Sequence, residues 1–508
     1  MVKVRAVSVR FLTLTAFVCG MVIMAVEMAA SRLMAPYFGT SVFVWTNLLG
    51  IIMLALSLGY YFGGRIADRN PTEQYLYTLL FGASLILFVL PFAAPFIMNF
   101  VSSGVSEGEF SIVVSSFVSS LIVFCIPFLA LGMVSPTIIR LLSSEVDHSG
   151  RIAGRVYAAS TVGSILGTFL PTLVFVPWIG TKKTILLFAL VLCIVSLIGL
   201  GKRLLWGVIG VFVAALVLIP PQYFTSADIV YQTESPYSYL KVTKDSFYGN
   251  MLQQDEGYAM HSVYNPDRIF TGAYWDYLYF APYFQPDKKE QKAAVIGAAG
   301  GTAYRMWEET SGDQFDFTFE GAEIDPVVVD LSRKYFGMDQ YPNVEVSAQD
   351  GRIFLKQSKG DYDIVFLDAY RQIYMPPHLT SLEFFQLVRD RMSEDGVMIA
   401  NVNAMFEGSD IYQRMVRTLQ EVFPKVWVLQ VGDGSFNYLF FATSGQGDLG
   451  TALTSIPERY SFLRAEALPK IARLDTIRSD IALITDDRPL SEVLFDRMIG
   501  EWLLGRRN

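Results

Sequence analysis

Ala293-Ala-Val-Ile-Gly-Ala-Ala-Gly-Gly-Thr302 is a short apolar run that ends in a glycine-rich turn, and a helix-forming stretch follows it. Glu323 lies at the end of the next apolar run. Gly297, Gly300 and Gly301 let the backbone approach a ligand closely, and an acid at the tip of the second strand can accept both hydroxyls of a ribose. A glycine-rich turn is often only a turn, but the acid at this spacing predicts nucleoside binding in an α/β unit.

The composition of the chain divides it into two parts. The 508 residues are enough for two or three domains. Hydrophobic residues make up 52% of the chain, and the mean hydropathy of +0.37 is too high for an ordinary soluble protein. The excess lies in residues 11–220, whereas residues 225–508 have the composition of a soluble domain. We therefore expect a membrane domain over residues 1–220 and a globular half after it.

The charge and the scarce metal-binding residues exclude several functions. The net charge of −8 gives no reason to expect a nucleic acid partner. The three cysteines lie apart in apolar segments, and the chain has only three histidines, so neither a disulfide framework nor a metal site is expected. The chemistry should therefore rest on carboxylates, aromatic side chains and the backbone.

Seven apolar segments in the first half predict transmembrane helices. They lie near residues 11–30, 43–63, 76–99, 111–139, 156–178, 184–200 and 204–220. The basic N-terminus and the sequence Met28-Ala-Ala30 imitate a signal peptide with its cleavage site. The further apolar runs favour instead a multi-pass protein of the cell (inner) membrane, with the lipid bilayer as its partner.

The positions of lysine and arginine predict the orientation of these helices. An inside N-terminus leaves only Arg32, Lys182 and Lys183 in outer loops. The inner loops then hold Lys3, Arg5, Arg10, Arg65, Arg69, Arg140, Arg151, Arg155, Lys202 and Arg203. This asymmetry favours an inside N-terminus, and seven crossings then put the globular half outside.

A nucleoside cofactor argues for the opposite, cytosolic side. If the segment 156–178 were re-entrant, six crossings would remain and the globular half would be cytosolic. This segment is as apolar as its neighbours, and irregular backbone at membrane depth needs protein or water around it. The external side is therefore favoured, and both sides stay open.

Glu27 lies inside the first predicted helix, with Arg32 shortly after it. An ionised acid at the bilayer centre costs about 2.5–3.5 kcal/mol, so such residues usually face the bundle interior or a cavity. A Glu27–Arg32 pair that fixes helix packing and a polar substrate path both stay open. The segments Gly63–Arg69 and Arg151–Gly167 resemble loops of major facilitator transporters. That resemblance covers at most half of such a transporter, so transport by this part alone is not expected.

The globular half begins with residues that favour β-structure. They predict a subdomain over residues 221–290, in which a small antiparallel sheet is followed by a linker helix over Tyr274–Pro286.

From residue 291 to 508, strand and helix candidates alternate, which is expected of a Rossmann-like domain. The strand candidates are 293–297, 317–323, 343–347, 362–367, 397–402, 425–430 and 437–442. The helix candidates are 303–310, 326–336, 351–358, 381–393 and 408–422.

This alternation with short connections predicts a mostly parallel sheet covered on both faces. The last two strands are joined only by Val431–Phe436, which is too short for a crossover helix and predicts an antiparallel pair. The arrangement resembles that of class I S-adenosylmethionine-dependent enzymes. The expected fold is thus a multi-pass α-helical membrane domain plus a Rossmann-like α/β domain with a small N-terminal β-sheet.

Acids follow three successive strand candidates. They are Glu323 with Asp325, Asp350 before Gly351, and Asp368. Because the carboxyl ends of parallel strands meet at one edge of the sheet, these acids should share a site. Asp350 alone fits equally well as a helix N-cap.

Residues 225–445 resemble the polyamine (spermidine) synthases, also called aminopropyltransferases, and the whole chain resembles their membrane-fused members. The matching pieces are Val295–Thr302, Gly321–Asp325, Asp350-Gly351, Asp361–Asp368 and Asp395–Asn401. The stretch Tyr274-Trp-Asp276 takes the place of the family's Tyr-His-Glu. Thr485-Asp-Asp-Arg-Pro489 and the segment from Glu27 to Arg32 resemble the membrane-fused group.

The resemblance implies a role for each part of the site. Glu323 would hold the ribose hydroxyls, Asp350 would accept from the adenine amino group, and Asp368 would take a proton from the attacking amine. The other implied site residues are Gly297, Gly300, Gly301, Asp325 and Gly351 on the cofactor side, and Tyr274, Asp276, Tyr370 and Arg371 on the substrate side. The co-substrate would be decarboxylated S-adenosylmethionine or S-adenosylmethionine, without a metal, and the acceptor a small-molecule amine or an unknown group. A homo-oligomer is possible.

The acceptor side departs from the family pattern. The acid of the family's glycine turn falls on Ala299 or Gly300, its second acid after the catalytic one falls on Arg371, its histidine on Trp275 and an early glutamine on Ser238. Loss of one partner of a buried charge pair costs about 3–5 kcal/mol, so we expect weakened diamine binding. Two alternatives to aminopropyl transfer therefore stay open. One is an S-adenosylmethionine-dependent methyltransferase, and the other is a non-catalytic ligand-binding or transport-associated membrane protein.

Overall fold

A computed structural model gives the architecture of the chain as two compact units. It describes residues 8–501 apart from 104–108, 144–148, 202–206, 221, 225, 256–258, 371–373, 433–435, 477, 489–493, 496 and 499–500. The first unit comprises Met1–Ser226 and Gln232–Leu240, and the second comprises Ala227–Tyr231 and Lys241–Asn508.

The first unit is a bundle of apolar helices. They are α1 (Val9–Phe38), α2 (Val42–Arg69), α3 (Glu73–Ser103), α4 (Glu109–Gly132), α5 (Val134–Leu142), α6 (Ser149–Leu170), α7 (Val176–Ile179), α8 (Thr181–Leu200) and α9 (Gly207–Leu218). The π-helical stretch Pro171–Phe175 joins α6 to α7, where a proline lacks the N–H that an α-helix needs.

Six helical stretches are long and apolar enough to cross a membrane. They are Val9–Phe38, Val42–Arg69, Glu73–Ser102, Val113–Leu142, Ser149–Ile179 and Thr181–Leu200. The segment considered for a re-entrant loop therefore forms one continuous helical stretch. The predicted seventh span coincides with the shorter α9, which has 12 residues, so the count of seven crossings stays a prediction.

Helices α1 and α6 pack backbone against backbone through glycines. A Cβ atom added at Gly163 would lie 1.9 Å from the carbonyl oxygen of Phe17, and one added at Gly20 would lie 2.1 Å from the carbonyl oxygen of Ser160. The Ser164 hydroxyl donates to the Gly20 carbonyl at 3.2 Å. Small residues at such a contact let membrane helices gain van der Waals energy that lipid cannot supply.

Arg32, near the end of α1, bonds to the chain that follows the last helix. Its guanidinium donates to the carbonyl of Ser235 at 2.9 Å and to that of Pro236. Arg32 thus fixes residues 235–236 to the bundle, and the Glu27–Arg32 pair stays a prediction.

The small antiparallel sheet expected before the nucleotide fold has four strands in sequential order. They are β1 (Ile229–Glu234), β2 (Tyr239–Asp245), β3 (Gly249–Gln254) and β4 (Met260–Tyr264). The predicted linker helix is a 3₁₀ helix over Tyr274–Phe284, and all but the first of its residues are buried. Continuous apolar and aromatic side chains, with no polar face, explain this burial.

The large sheet has eight strands in the order β12-β10-β11-β9-β8-β5-β6-β7. They are β5 (Glu290–Ile296), β6 (Asp316–Glu323), β7 (Val344–Ala348), β8 (Tyr362–Leu367), β9 (Met392–Asn403), β10 (Lys425–Gln430), β11 (Asn437–Thr443) and β12 (Ile471–Arg473). Strands β5 to β9 pair in parallel, and β10 and β11 form the predicted antiparallel pair. The edge strand β12 was not predicted, because three residues give no recognisable period.

Helices cover both faces of this sheet, which confirms the predicted Rossmann-like fold. They are α10 (Thr302–Ser311), α11 (Pro326–Tyr335), α12 (Gly351–Gln357), α13 (Leu382–Arg391), α14 (Asp410–Val422), α15 (Leu449–Ser455) and α16 (Ser461–Ala467). One core, which includes Trp307 and Phe441, lies with the 3₁₀ helix on one face. The other core includes Phe385 and Met415. The central parallel strands β5 and β8 are therefore buried on both sides, as their apolar sequences predicted, whereas β7 is partly exposed.

The glycine contact between α1 and α6 gives a stability prediction. Gly163→Val should lower the free energy of unfolding by at least about 1–3 kcal/mol, because the new side chain collides with backbone that cannot yield. Gly154→Val is a matched control in the same helix, since a Cβ at Gly154 meets nothing within 4 Å. Thermal unfolding of the full chain in detergent, followed by circular dichroism, compares the two. Equal unfolding midpoints would contradict the close packing.

Candidate active site

The glycine turn after β5 lies directly against the end of β8. Gly297 and Gly301 both have φ +88°, a conformation that favours glycine. A Cβ at Gly297 would lie 2.5 Å from the carbonyl oxygen of Asp368. The absence of a side chain at Gly297 therefore allows the turn and the acid after β8 to lie side by side.

The small sheet holds the same turn from the other side. The backbone N–H of Gly300 donates to the Ser262 hydroxyl at 2.8 Å, and the Thr302 hydroxyl bonds to the backbone of Val263. Ser262 and Val263 belong to β4. The nucleotide-type turn is thus fixed by a subdomain that precedes it in the chain, and Ser262 is a site residue that the sequence did not single out.

Glu323 is buried at the tip of β6 beside the turn. Its carboxylate accepts from the backbone N–H of Ala299 at 3.0 Å and from that of Asp325 at 3.1 Å. Burial raises the pKa of Glu323 to about 7, and the two backbone hydrogen bonds act against this rise. A carboxylate in this position can accept the hydroxyls of a ribose laid across the glycine turn.

Asp325 and Asp350 both cap helices. Asp325 accepts from the backbone N–H of Val327 at 3.0 Å, at the start of α11. Asp350 accepts through Oδ1 from the backbone N–H groups of Arg352 and Ile353, in the first turn of α12. Its Oδ2 lies 2.7 Å from Nε2 of His378. The N-cap interpretation of Asp350 thus agrees with the geometry, while its second oxygen faces a histidine that the sequence did not single out.

Gly351, the first residue of α12, lies against the first strand of the nucleotide fold. A Cβ at Gly351 would come 2.2 Å from Cγ2 of Ile296. A glycine at this position therefore lets the Asp350 turn approach β5, and Asp350 reaches the same edge of the sheet as Glu323.

Asp368 lies directly after β8 and is held by neutral donors. The Tyr274 hydroxyl donates to Oδ2 at 2.7 Å, and the Asn401 side-chain amide donates to Oδ1 at 2.8 Å. Burial raises the pKa of Asp368 to about 7, and hydrogen bonds from Asn401, Tyr274 and Trp275 act against the rise. Burial and the nearby Asp368 charge raise the pKa of Tyr274 well above its usual value, so this phenol remains a donor.

Tyr370 lies beside Asp368 but bonds to the neighbouring strand. Its hydroxyl donates to the carbonyl of Asn401 at 2.7 Å and accepts from the N–H of Asn403 at 3.1 Å. Tyr370 and Asn401 also line a mostly apolar cavity with Ile296 and Phe384. The predicted substrate residue Tyr370 therefore supports the end of β9.

Asp276, a predicted substrate residue, has its described hydrogen bonds within its own turn. Asp276 is buried, and its carboxylate accepts from the N–H and hydroxyl of Thr271 and from the N–H of Gly272. This is a turn cap, which the position of Asp276 in the Tyr-Trp-Asp stretch could not reveal. Arg371 lies outside the described residues.

Comparison with known proteins identifies a domain within the α/β unit. Residues 288–432 match the family model described as the spermine/spermidine synthase domain. A probable polyamine aminopropyl transferase of Bifidobacterium longum is 31% identical over 201 residues, which are 39% of this chain. The aligned part spans 43% of the length of that relative.

Two further similarities differ in extent. Polyamine aminopropyltransferase 2 of Aquifex aeolicus is 20% identical over 477 residues, which cover 90% of this chain and 92% of that protein. The spermidine synthase of Thermotoga maritima is a solved structure with 16% identity and a TM-score of 0.36, covering 54% of this chain and 88% of that one. The similarity to the Aquifex protein thus extends through the helical unit.

The position of Glu323 predicts pH-dependent nucleoside binding. Glu323→Gln should weaken methylthioadenosine binding by roughly tenfold or more, because the ribose loses a charge-assisted hydrogen bond. Since only the ionised carboxylate accepts both hydroxyls and its pKa is raised to about 7, wild-type affinity should rise by about tenfold from pH 6 to pH 8. Titration calorimetry of the full chain measures both effects.

Glu320 supplies the control for this measurement. It lies on the same strand and pairs with Lys292 at 2.8 Å. Glu320→Gln should keep both the affinity and its pH dependence, whereas Glu323→Gln should bind equally at the two pH values. Unchanged affinity in Glu323→Gln would remove Glu323 from the nucleoside site.

Proposed function

We propose that this chain, whose α/β unit carries a spermine/spermidine synthase domain, is a membrane-anchored enzyme that transfers an aminopropyl group from decarboxylated S-adenosylmethionine to an amine. The observation that carries the proposal is the Asp368 carboxylate, which is buried after β8, held by Tyr274 and Asn401, and adjacent to the glycine turn. A proton acceptor beside a nucleoside site is what attack by an amine requires.

The proposed reaction follows from these positions. Glu323 binds the ribose, and the edge formed by Asp350 and Gly351 lies where adenine would sit. The amine nitrogen attacks the propyl carbon bonded to the sulfonium sulfur, and a new C–N bond forms as the C–S bond breaks. The bonding electron pair returns to sulfur, which leaves as neutral methylthioadenosine. Asp368 accepts the proton that the amine nitrogen loses. The donor's sulfonium charge supplies the activation.

The acceptor is expected to differ from a simple diamine. Ala299 offers only a backbone N–H in the turn, and that N–H is bonded to Glu323. The indole of Trp275 lies tilted beside Tyr274, with ring centroids 4.4 Å apart, at the position of the family's ionisable histidine. Aromatic and neutral groups favour an amine with an uncharged remainder.

Asp368→Asn tests the proposed catalytic role. The variant keeps the shape of the side chain but cannot accept the amine proton, so turnover should fall by roughly 10²–10⁴ while methylthioadenosine binding is retained. Product formation should be measured on purified full chain with decarboxylated S-adenosylmethionine and a panel of amines. Parallel reactions with S-adenosylmethionine test for methyl transfer, which the side chain of Ala299 does not obstruct.

The outcomes of this assay separate the candidate functions. Aminopropyl transfer that depends on Asp368 supports the proposal, and methyl transfer alone would replace it. If Asp368→Asn turns over as fast as the wild type, Asp368 is not the base. Nucleoside binding without either product would leave a ligand-binding membrane protein.

We further propose that the chain leaves the bundle on the side opposite to its N-terminus. The Lys182 ammonium, at the start of α8, donates to the carbonyl of Gln222 at 2.5 Å. Phe212 of α9 packs on Phe88 of α3 with ring centroids 4.4 Å apart. Helix α9 begins after the C-terminal end of α8, whereas Gln222, which follows α9, bonds near the N-terminal end of α8. These contacts support a chain that runs back along α8 and so makes a seventh crossing.

The contacts of Arg32 support the same topology. Arg32 lies near the C-terminal end of α1, which is the end of the bundle remote from residue 8, and it holds the carbonyl of Ser235. Residues 222 and 235 therefore both lie at the end where α1 stops and α8 starts. With the charge asymmetry that favours an inside N-terminus, the domain that follows would be external.

Cysteine labelling tests the side of the membrane. Gly445, in the segment after β11, is buried, and a Cβ there would lie 2.4 Å from Asp395. The neighbouring Ser444 is exposed, so Ser444→Cys is the better probe. A membrane-impermeant thiol reagent should label this variant in intact cells. The parent chain, in which Cys19 and Cys193 are buried and Cys125 is half-buried, is the control that measures background labelling. Labelling only after lysis would place the domain in the cytosol.

A further inference from the structure

Three asparagines form a hydrogen-bonded group behind the Asp368 carboxylate. They lie on the paired strands β9 and β11, where Asn437 is opposite Asn403. The side-chain amide of Asn437 donates to Oδ1 of Asn401 at 3.0 Å and to Oδ1 of Asn403 at 2.8 Å. Asn401 in turn donates to Oδ1 of Asp368 at 2.8 Å. The chain of donors thus runs in one direction, from Asn437 through Asn401 to the carboxylate.

This direction decides which end of the Asn401 amide faces Asp368. An asparagine side chain carries a donor NH₂ and an acceptor oxygen that exchange places when the amide turns over. Because Asn437 presents a donor, the oxygen of Asn401 is held on its side and the NH₂ is left for the carboxylate. The opposite orientation would place two NH₂ groups face to face and two oxygens face to face.

The backbone of Asn401 is fixed as well. The Tyr370 hydroxyl donates to the carbonyl of Asn401 and accepts from the N–H of Asn403. It therefore bridges two residues at the end of β9. Asn401 is also 3% exposed, which leaves its amide no water as an alternative partner. The donor to Asp368 is therefore held in position by both its backbone and its side chain.

The groups around Asp368 make this donor important. The titratable groups that face it are Tyr274 from the 3₁₀ helix and Tyr370 from its own loop, and burial raises the pKa of both well above the usual value, so both are neutral. Trp275 and Asn401 do not titrate. Among the described residues, no cation is hydrogen-bonded to Asp368. The buried anion therefore depends on a few neutral donors.

We infer that Asn401, oriented by Asn437, is the positioning residue that keeps the Asp368 carboxyl ionised and directed for proton transfer. The inference rests on the proposed function for its catalytic meaning, but the ionisation of Asp368 can be measured without turnover. Without the Asn401 donor, the buried carboxyl would hold its proton to higher pH. A protonated Asp368 cannot accept a proton from an amine.

The test is a titration of Asp368 in purified full chain by infrared difference spectroscopy of its carboxyl stretch, with Asp368→Asn as the subtraction reference. Asn401→Leu removes the donor at nearly constant volume and should raise the titration midpoint by about one to two pH units. Asn437→Leu, which frees the Asn401 amide to turn over, should give a smaller shift in the same direction. Asn403→Leu is the matched control, since it is in the same group but does not touch Asp368.

The outcomes distinguish positioning from general structural support. An unchanged midpoint in Asn401→Leu would overturn the inference, and so would an equal shift in Asn403→Leu. If the wild type transfers an aminopropyl group, the acid limb of its kcat/KM profile should move upward in Asn401→Leu with the infrared midpoint. If the wild type transfers nothing but the midpoint still shifts, the positioning role stands and the proposed function fails.

Discussion

The close approach of the glycine turn to the end of β8 is the constraint on which the site depends. A side chain at Gly297 would collide with the backbone of Asp368, and one at Gly351 would collide with Ile296. The two glycines leave room at the edge of the sheet where β6, β7 and β8 end. Glu323, Asp350 and Asp368 lie at or just after these ends. Parallel pairing alone puts those acids on the same edge, and the missing side chains let the glycine turn approach Asp368 and the Asp350 turn approach β5.

The two buried carboxylates of this edge are stabilised in different ways. Glu323 accepts from backbone N–H groups, which no side-chain substitution removes directly. Asp368 accepts from Tyr274 and Asn401, which are side chains that evolution can exchange. The proposed nucleoside site is thus held by main-chain groups, whereas the Asp368 carboxylate depends on side chains that substitution can change. Trp275, one of the departures from the family pattern, is among the side chains that bond to Asp368.

Much of the α/β unit could be predicted because its sequence patterns are local. Several parallel strands, such as β5 and β8, are apolar runs followed by a glycine or an acid. Each predicted strand overlaps an observed one, although β9 begins at Met392 and not at residue 397. The acids at Glu323, Asp350 and Asp368 followed from one rule about strand ends. The same rule applied to β9 points to Asn401, a residue that was overlooked because an amide has no charge to draw attention.

Other features depend on contacts distant in sequence and could not be predicted. His378 reaches Asp350 only because the chain after β8 folds back over α12. Ser262 supports the glycine turn from a strand that is separate in sequence. In each case the local sequence gives the residue type, while the partner is set by the packing of another element.

The helical unit shows how the same limitation affects topology. Hydropathy found the apolar segments, but a segment of 12 helical residues is too short for composition alone to decide whether it crosses. Contacts are more informative than length here, because Lys182 and Gln222 meet at one end of α8 while α9 begins after its other end. This contact and the packing of α9 on α3 support the proposed seventh crossing, and the charge asymmetry of the loops is what favours an external globular half.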